Sequence, residues 1–237
     1  MNSNQRSNVA RLSFFSDVVF AIALTLLVIH IPIPASYVTS GVLHDSLGDV
    51  VPELVGFGIS FVVIAVLWLD HHLLFDYIDR RDEPLLLMNL GVLLCVAFLP
   101  FPAGVFTKHM GAPVAVLFFA GSVFVTAIAA AALSWYATRG VESAPARVDA
   151  ATRRSLIERP LSTAVVFGLS APTVLVGFHI GEVELTLAQV LWLCGLVAAR
   201  IFLVRRAAYI PPIESPRRPG NQPAAQTGPE IGTKPAR

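Results

Sequence analysis

The sequence predicts an all-α polytopic membrane protein of six transmembrane helices. Three observations carry that expectation. Of the 237 residues, 55% are hydrophobic and only 14% charged, against about 25% charged in an ordinary soluble domain. Six stretches stay apolar over about the 20 residues that a helix needs to cross a bilayer. Lys and Arg crowd into alternate connections, as they do in cytoplasmic loops. The net charge of +1 excludes nothing by itself.

Bilayer thickness sets the expected spans at roughly 12–33, 51–73, 85–106, 113–136, 160–180 and 185–204. The first follows Arg6 and Arg11 and is stopped by Pro32 and Pro34. Arg80 and Arg81 separate the second from the third. The fourth ends in Trp135 and Tyr136, whose amphipathic rings suit a membrane interface. The long connection after it holds Arg139, Arg147, Arg153, Arg154 and Arg159. Pro172 is expected to kink the fifth span, because proline cannot donate to the helical ladder. Arg200, Arg205 and Arg206 crowd the end of the sixth, with Arg217, Arg218, Lys234 and Arg237 beyond. On the other side the sole Lys or Arg is Lys108, among Asp45, Asp49, Glu182 and Glu184. This asymmetry places both termini in the cytoplasm and the chain in the cell membrane. Residues 1–210 form the membrane domain. The tail 211–237, rich in Pro, Gly and charge, is read as a disordered cytoplasmic segment.

Several function classes drop out. The N-terminal apolar run has no small-residue cleavage site and is long enough to span, so it is not a cleavable signal peptide. Cys95 and Cys194 sit in apolar runs and read as small buried residues rather than a disulfide or metal site. There is no HExxH, CxxC, phosphate loop or nucleophile elbow to support an enzyme. His71 and His72 are adjacent, so on a helix they point about 100° apart and make poor joint metal ligands. A voltage sensor would carry arginines every third residue through the apolar depth, which the sixth span does not. Neither a cofactor nor a nucleic-acid partner is expected.

The first span organises the rest. At 100° per residue, Ile22, Leu26 and Ile29 share one stripe, extended by Val18, Phe15 and Arg11, with Thr25 at its flank. Ser16 and Asp17 point away from it. An unpaired carboxylate at membrane depth is costly, so this polar foot needs partners. The second span ends in WLDHHLLFDYIDRRDEP, which brings Trp68, Asp70, His71 and His72 to the same side, and the third carries Asn89 near its start. Asp17, Ser16, a histidine and Asn89 are expected to meet there as a polar network. Arg11 is expected to pair with the loop acids Asp76, Asp79, Asp82 or Glu83. His30 is read as a histidine at the outer interface.

RxxxFSD (Arg11, Phe15, Ser16, Asp17) and AIxxTLL (Ala21, Ile22, Thr25, Leu26, Leu27), followed by WxxHH (Trp68, His71, His72), Asn89 and the LPF of Leu99, Pro100 and Phe101, resemble the prokaryotic branch of the transmembrane protein 175 family. Its members are endosomal and lysosomal potassium channels and their bacterial relatives. The motifs cover residues 11–106; the later spans match in number and hydropathy alone. The resemblance implies a homotetramer whose pore is lined by four copies of the first helix. Ile22, Leu26 and Ile29 would form the narrowest apolar rings, and Thr25 a layer contributing to selectivity. Arg11, Ser16 and Asp17, with His71 or His72 and Asn89, would form a structural network behind the pore. The implied function is a modestly selective, potassium-permeable channel with a hydrophobic constriction. Its permeant ion is potassium, and the lipid bilayer is its surroundings. The alternative is a secondary or proton-coupled carrier relaying protons through the Asp and His cluster. Against it, no repeated halves or paired broken helices are visible.

Overall fold

The computed structural model describes residues 3–32, 50–77, 82–139, 150–180 and 183–208. The tail 211–237 and Asp79 lie outside them. Helix α1 (Ser3–Leu26) runs into a 3-10 turn, Leu27–His30. Helix α2 (Val51–Tyr77) follows. Helix α3 (Glu83–Phe98) is capped by Asp82, whose Oδ1 accepts from the Leu85 N–H at 3.2 Å, with a proline in its first turn. After a turn at Leu99 the chain continues as α4 (Pro100–Lys108). Pro100 has no N–H to offer the Val96 carbonyl, and Leu99 N–H donates to it instead at 3.1 Å. The traverse therefore continues through the break. Helix α5 (Pro113–Ala137) opens on another proline.

The last third departs from expectation. Helix α6 spans Ala150–Ser170 and tolerates Pro160 inside it. The α-helix then ends, and Ala171–Leu175 forms a 3-10 turn with Pro172 near its start. The expected span 160–180 is therefore corrected, and Pro172 ends the α-helix rather than kinking it. Strands β1 (Gly177–Ile180) and β2 (Val183–Thr186) pair antiparallel, Gly177 opposite Thr186 and Ile180 opposite Val183. The fold is mostly helical, as expected, and this short hairpin is the departure from it among the described residues. Helix α7 (Leu187–Ala208) completes the described chain. Among the described residues, four helical stretches are long and apolar enough to cross a membrane: Arg11–His30, Val51–Tyr77, Glu83–Lys108 and Pro113–Ala137. Leu187–Leu203 is a shorter apolar helix. The chain is a multi-pass membrane protein.

Helix α1 packs on α2 and α3, α4 on α2 and α5, α5 on α6, and α6 on α7. Aromatic rings lock the second half together. Phe106 of α4 stacks on Phe119 of α5 at 5.0 Å and 11° between planes. Phe167 of α6 stacks on Trp192 of α7 at 4.8 Å and 20°. Trp192 is fully buried, and its Nε1–H donates to Ser170 Oγ at 2.6 Å, so the indole keeps a polar partner in an apolar setting. The outward faces remain apolar: Leu94, Val125, Leu169 and Phe202 are all exposed. Cys95 is half-buried and Cys194 exposed, both as free thiols. That corrects the buried reading of Cys194, since in a bilayer an apolar run need not face protein.

A second tie is electrostatic. Asp70, 3% exposed at its side chain, accepts a two-pronged fork from Arg200, with Nη1 to Oδ1 and Nη2 to Oδ2 both at 2.6 Å. Arg200 Nη2 also donates to Thr163 Oγ1 at 3.3 Å. This joins α2, α6 and α7. Arg200 is thus more than one of the interfacial cations at the end of the sixth span. Removing one partner of a buried pair leaves an uncompensated charge, which costs about 3–5 kcal/mol. Asp70→Leu is expected to lower detergent-solubilised stability by that amount in thermal unfolding. Adding Arg200→Met should recover most of the loss.

Candidate functional site

The first helix presents two faces, as its periodicity requires. Ser16, Phe20, Ala23 and Leu27, at i, i+4, i+7 and i+11, are all buried against α2 and α3. The opposite stripe is open. Phe15, Val18, Ile22, Leu26 and Ile29 are large, apolar and exposed, Ile22 at 52% and Ile29 at 72%. One turn of helix separates Ile22 from Leu26, about 6 Å along the axis. Thr25 is exposed beside them, and its hydroxyl donates to the Ile22 carbonyl at 2.9 Å. That engages the hydroxyl proton with the helix backbone and leaves the oxygen able to accept.

Two separate polar clamps hold the buried face. In the first, Asn89 Nδ2 of α3 donates to Ser16 Oγ at 3.1 Å, and Ser16 donates in turn to the Leu12 carbonyl at 3.0 Å. Both side chains are fully buried. In the second, Trp68 Nε1 of α2 donates to Asp17 Oδ1 at 2.9 Å. His72 Nδ1 approaches the same oxygen at 3.5 Å while its ring lies 5.3 Å from that of Trp68. Asp17 is thus held by α2 and Ser16 by α3.

The two histidines part company. His72 faces Asp17 and is exposed. His71 turns inward between Phe20 at 5.3 Å and Phe75 at 4.8 Å, and neither ring nitrogen has a hydrogen-bond partner among the described residues. It packs beside the clamps without joining them. Among the described residues no direct hydrogen bond links Asp17 to His71. Arg11 is exposed, and among the described residues it forms no ion pair. Asp82, one of its expected partners, caps α3 and accepts from Tyr136 Oη at 3.0 Å. Asp82 is engaged by α5, and Asp79, another of the expected partners, lies outside the described residues. His30, at the end of the first span, is half-buried with its ring against Gly104 of α4, where a β-carbon would overlap the imidazole. Its Nδ1 is buried without a partner among the described residues. Among the described residues no three His, Cys, Asp or Glu side chains gather as a metal site.

Trp68 is the member of these clamps whose role was hardest to read from the chain, although it lies in WxxHH; the signal was an indole N–H at the depth of an intramembrane carboxylate. A hydrogen bond to a charged acceptor contributes about 1.5–3 kcal/mol. Asp17→Ala is expected to lower the thermal stability of the solubilised protein by that amount and to reduce its yield as a monodisperse peak on size exclusion. Ser16→Ala should cost less, because Asn89 loses only a neutral partner.

The family model described as endosomal/lysosomal potassium channel TMEM175 matches residues 11–100. A potassium channel from Streptomyces collinus is 34% identical over 177 residues, covering 70% of this chain and 85% of that relative. A potassium channel from Chamaesiphon minutus is 37% identical over 128 residues, covering 52% of this chain and 63% of that one. The crystal structure of a lysosomal potassium-selective channel TMEM175 homologue from the same organism aligns with a TM-score of 0.65 at 25% identity, over 84% of this chain and 98% of that one. The matched segment contains α1 with its two faces, Trp68 with the histidine pair, and Asn89. By these matches the chain belongs to the TMEM175 family, in its prokaryotic branch.

Proposed function

We propose that the chain is one subunit of a potassium-permeable, modestly selective cation channel, a homotetramer with four copies of α1 around the pore. One observation carries the reading. α1 is clamped by polar bonds on one side and carries an uncovered line of bulky aliphatic side chains, Ile22, Leu26 and Ile29, on the other. A helix that only faced lipid would not need its rotation fixed from two neighbouring helices. The relatives named as potassium channels support the choice of ion.

In this reading four Ile22 side chains make a short apolar collar. Such a collar sheds water and stops ions when narrow, which makes it a gate. On slight dilation an ion passes partly dehydrated. Potassium holds its water less tightly than sodium and is favoured. No carbonyl cage recoordinates the ion, so the preference is modest. The Thr25 oxygens, still able to accept, give a second, polar ring next to the collar. Asp17 stays behind the pore, holding the helix. Arg11 lies on the pore stripe, about 16 Å from Ile22 along the axis, and tunes the electrostatics of the mouth.

The proposed topology has six crossings, with α6 and its 3-10 turn as the fifth and α7 as the sixth. Both termini lie in the cytoplasm of a cell-membrane protein. Residues 1–210 form the channel domain and 211–237 a cytoplasmic tail. Purified protein in planar bilayers under a potassium/sodium gradient is expected to show unitary current steps, which a carrier does not. Ile22→Asn should raise unitary conductance several-fold and shift the reversal potential toward equal permeability. An unchanged reversal potential would move the filter to Thr25.

A further inference from the structure

At the end of the bundle that holds Asp17, the charges of Asp70, Arg159 and Arg200 do not cancel. Both oxygens of Asp70 are taken by the Arg200 fork. Arg159 reaches the same carboxylate only at 4.0 Å through Nη1, beyond hydrogen-bond distance. Its Nε is buried and has no acceptor among the described residues. Two guanidiniums therefore face one carboxylate. A guanidinium does not shed its proton in a protein, so among the described residues one positive charge is left over and the buried Nε–H of Arg159 lacks an acceptor.

The place is accessible in a particular way. Asp70 is sealed, but the side chains of Arg159 and Arg200 keep 20% and 21% of their surface open. The three residues sit where their helices leave the apolar layer. Asp70 lies in the last turns of α2, Arg159 directly before the apolar part of α6, and Arg200 in the last turns of α7. At that depth the abundant anion is a lipid phosphate. Guanidinium forks match phosphate oxygens, and a phosphate has oxygens enough to meet Arg159 while touching the edge of Arg200.

We propose that Arg159, beside the Asp70–Arg200 pair, binds a phosphate oxyanion as carried by the headgroup of an anionic phospholipid. The site lies on α2, α6 and α7, away from the stripe of α1, and does not depend on the channel reading.

The test is native mass spectrometry of purified protein with phosphatidylglycerol and with phosphatidylcholine. Wild type is expected to retain phosphatidylglycerol preferentially. Arg159→Gln should weaken that retention about tenfold, the size of one charge-assisted hydrogen bond. Arg154→Gln removes an exposed cation of the same helix that is already paired with Glu158, and should leave retention unchanged. Inorganic phosphate, added without lipid, is the second arm. A rise in thermal midpoint equal to that from phosphatidylglycerol, lost in Arg159→Gln, supports the phosphate site and assigns it to the free ion. Equal retention of the two lipids by wild type overturns the proposal, and so does an equal loss in the two variants or an undiminished preference in Arg159→Gln. Should Arg159→Gln fail to fold, the wild-type comparison of lipids still decides, with Arg159→Lys expected to give an intermediate loss.

Discussion

The hydrogen bond from Trp68 to Asp17 sets the rotation of α1, and the rotation of α1 decides what the rest of the bundle is for. A carboxylate at that depth must have a partner. Once α2 supplies it, residues one and two turns along the helix have no choice of face. Phe20, Ala23 and Leu27 go into the core, and Ile22, Leu26 and Ile29 come out. The Ser16–Asn89 bond makes the same demand from α3. Two neighbours pinning one helix at two adjacent residues leave it little freedom to roll. Side-chain packing alone would resist rolling far less, since lipid is as apolar as the core.

Much of this was legible in the chain because its rules are local. Helical periodicity alone separates the two stripes of α1, and the cost of a bare carboxylate alone demands partners for Asp17. The four long spans follow from length and hydropathy. What failed has physical causes too. Pro172 was read as a kink because 160–180 is apolar, but apolarity does not distinguish a membrane helix from a 3-10 turn followed by a hairpin. The alternation in Val183–Thr186 covers only four residues, too short to stand out among apolar neighbours. Arg200 was hidden by company: several arginines at the end of one helix read as interfacial, and nothing local says that one of them turns inward to a residue 130 positions away.

The polar sites also divide labour by chain distance. The Ser16 and Asp17 clamps join the first three helices, all within the first ninety residues. The Asp70 fork joins α2 to α6 and α7, and the aromatic cluster joins α4, α5, α6 and α7 to one another. Helix α2 meets α1 through Trp68 and His72 and meets α6 and α7 through Asp70. Trp68 and Asp70 are two residues apart, so about 200° around the helix. One short piece of α2 points one polar group at α1 and another at α6 and α7.

The contact of His30 with Gly104 has a consequence for how the sequence can vary. The ring occupies the space that a β-carbon at position 104 would need. The two positions are therefore coupled in size: a larger residue at 104 requires the ring at 30 to shift or to be replaced by a smaller side chain. The end of α1 is anchored by the absence of a side chain, and that absence makes one glycine and one histidine a single unit of inheritance.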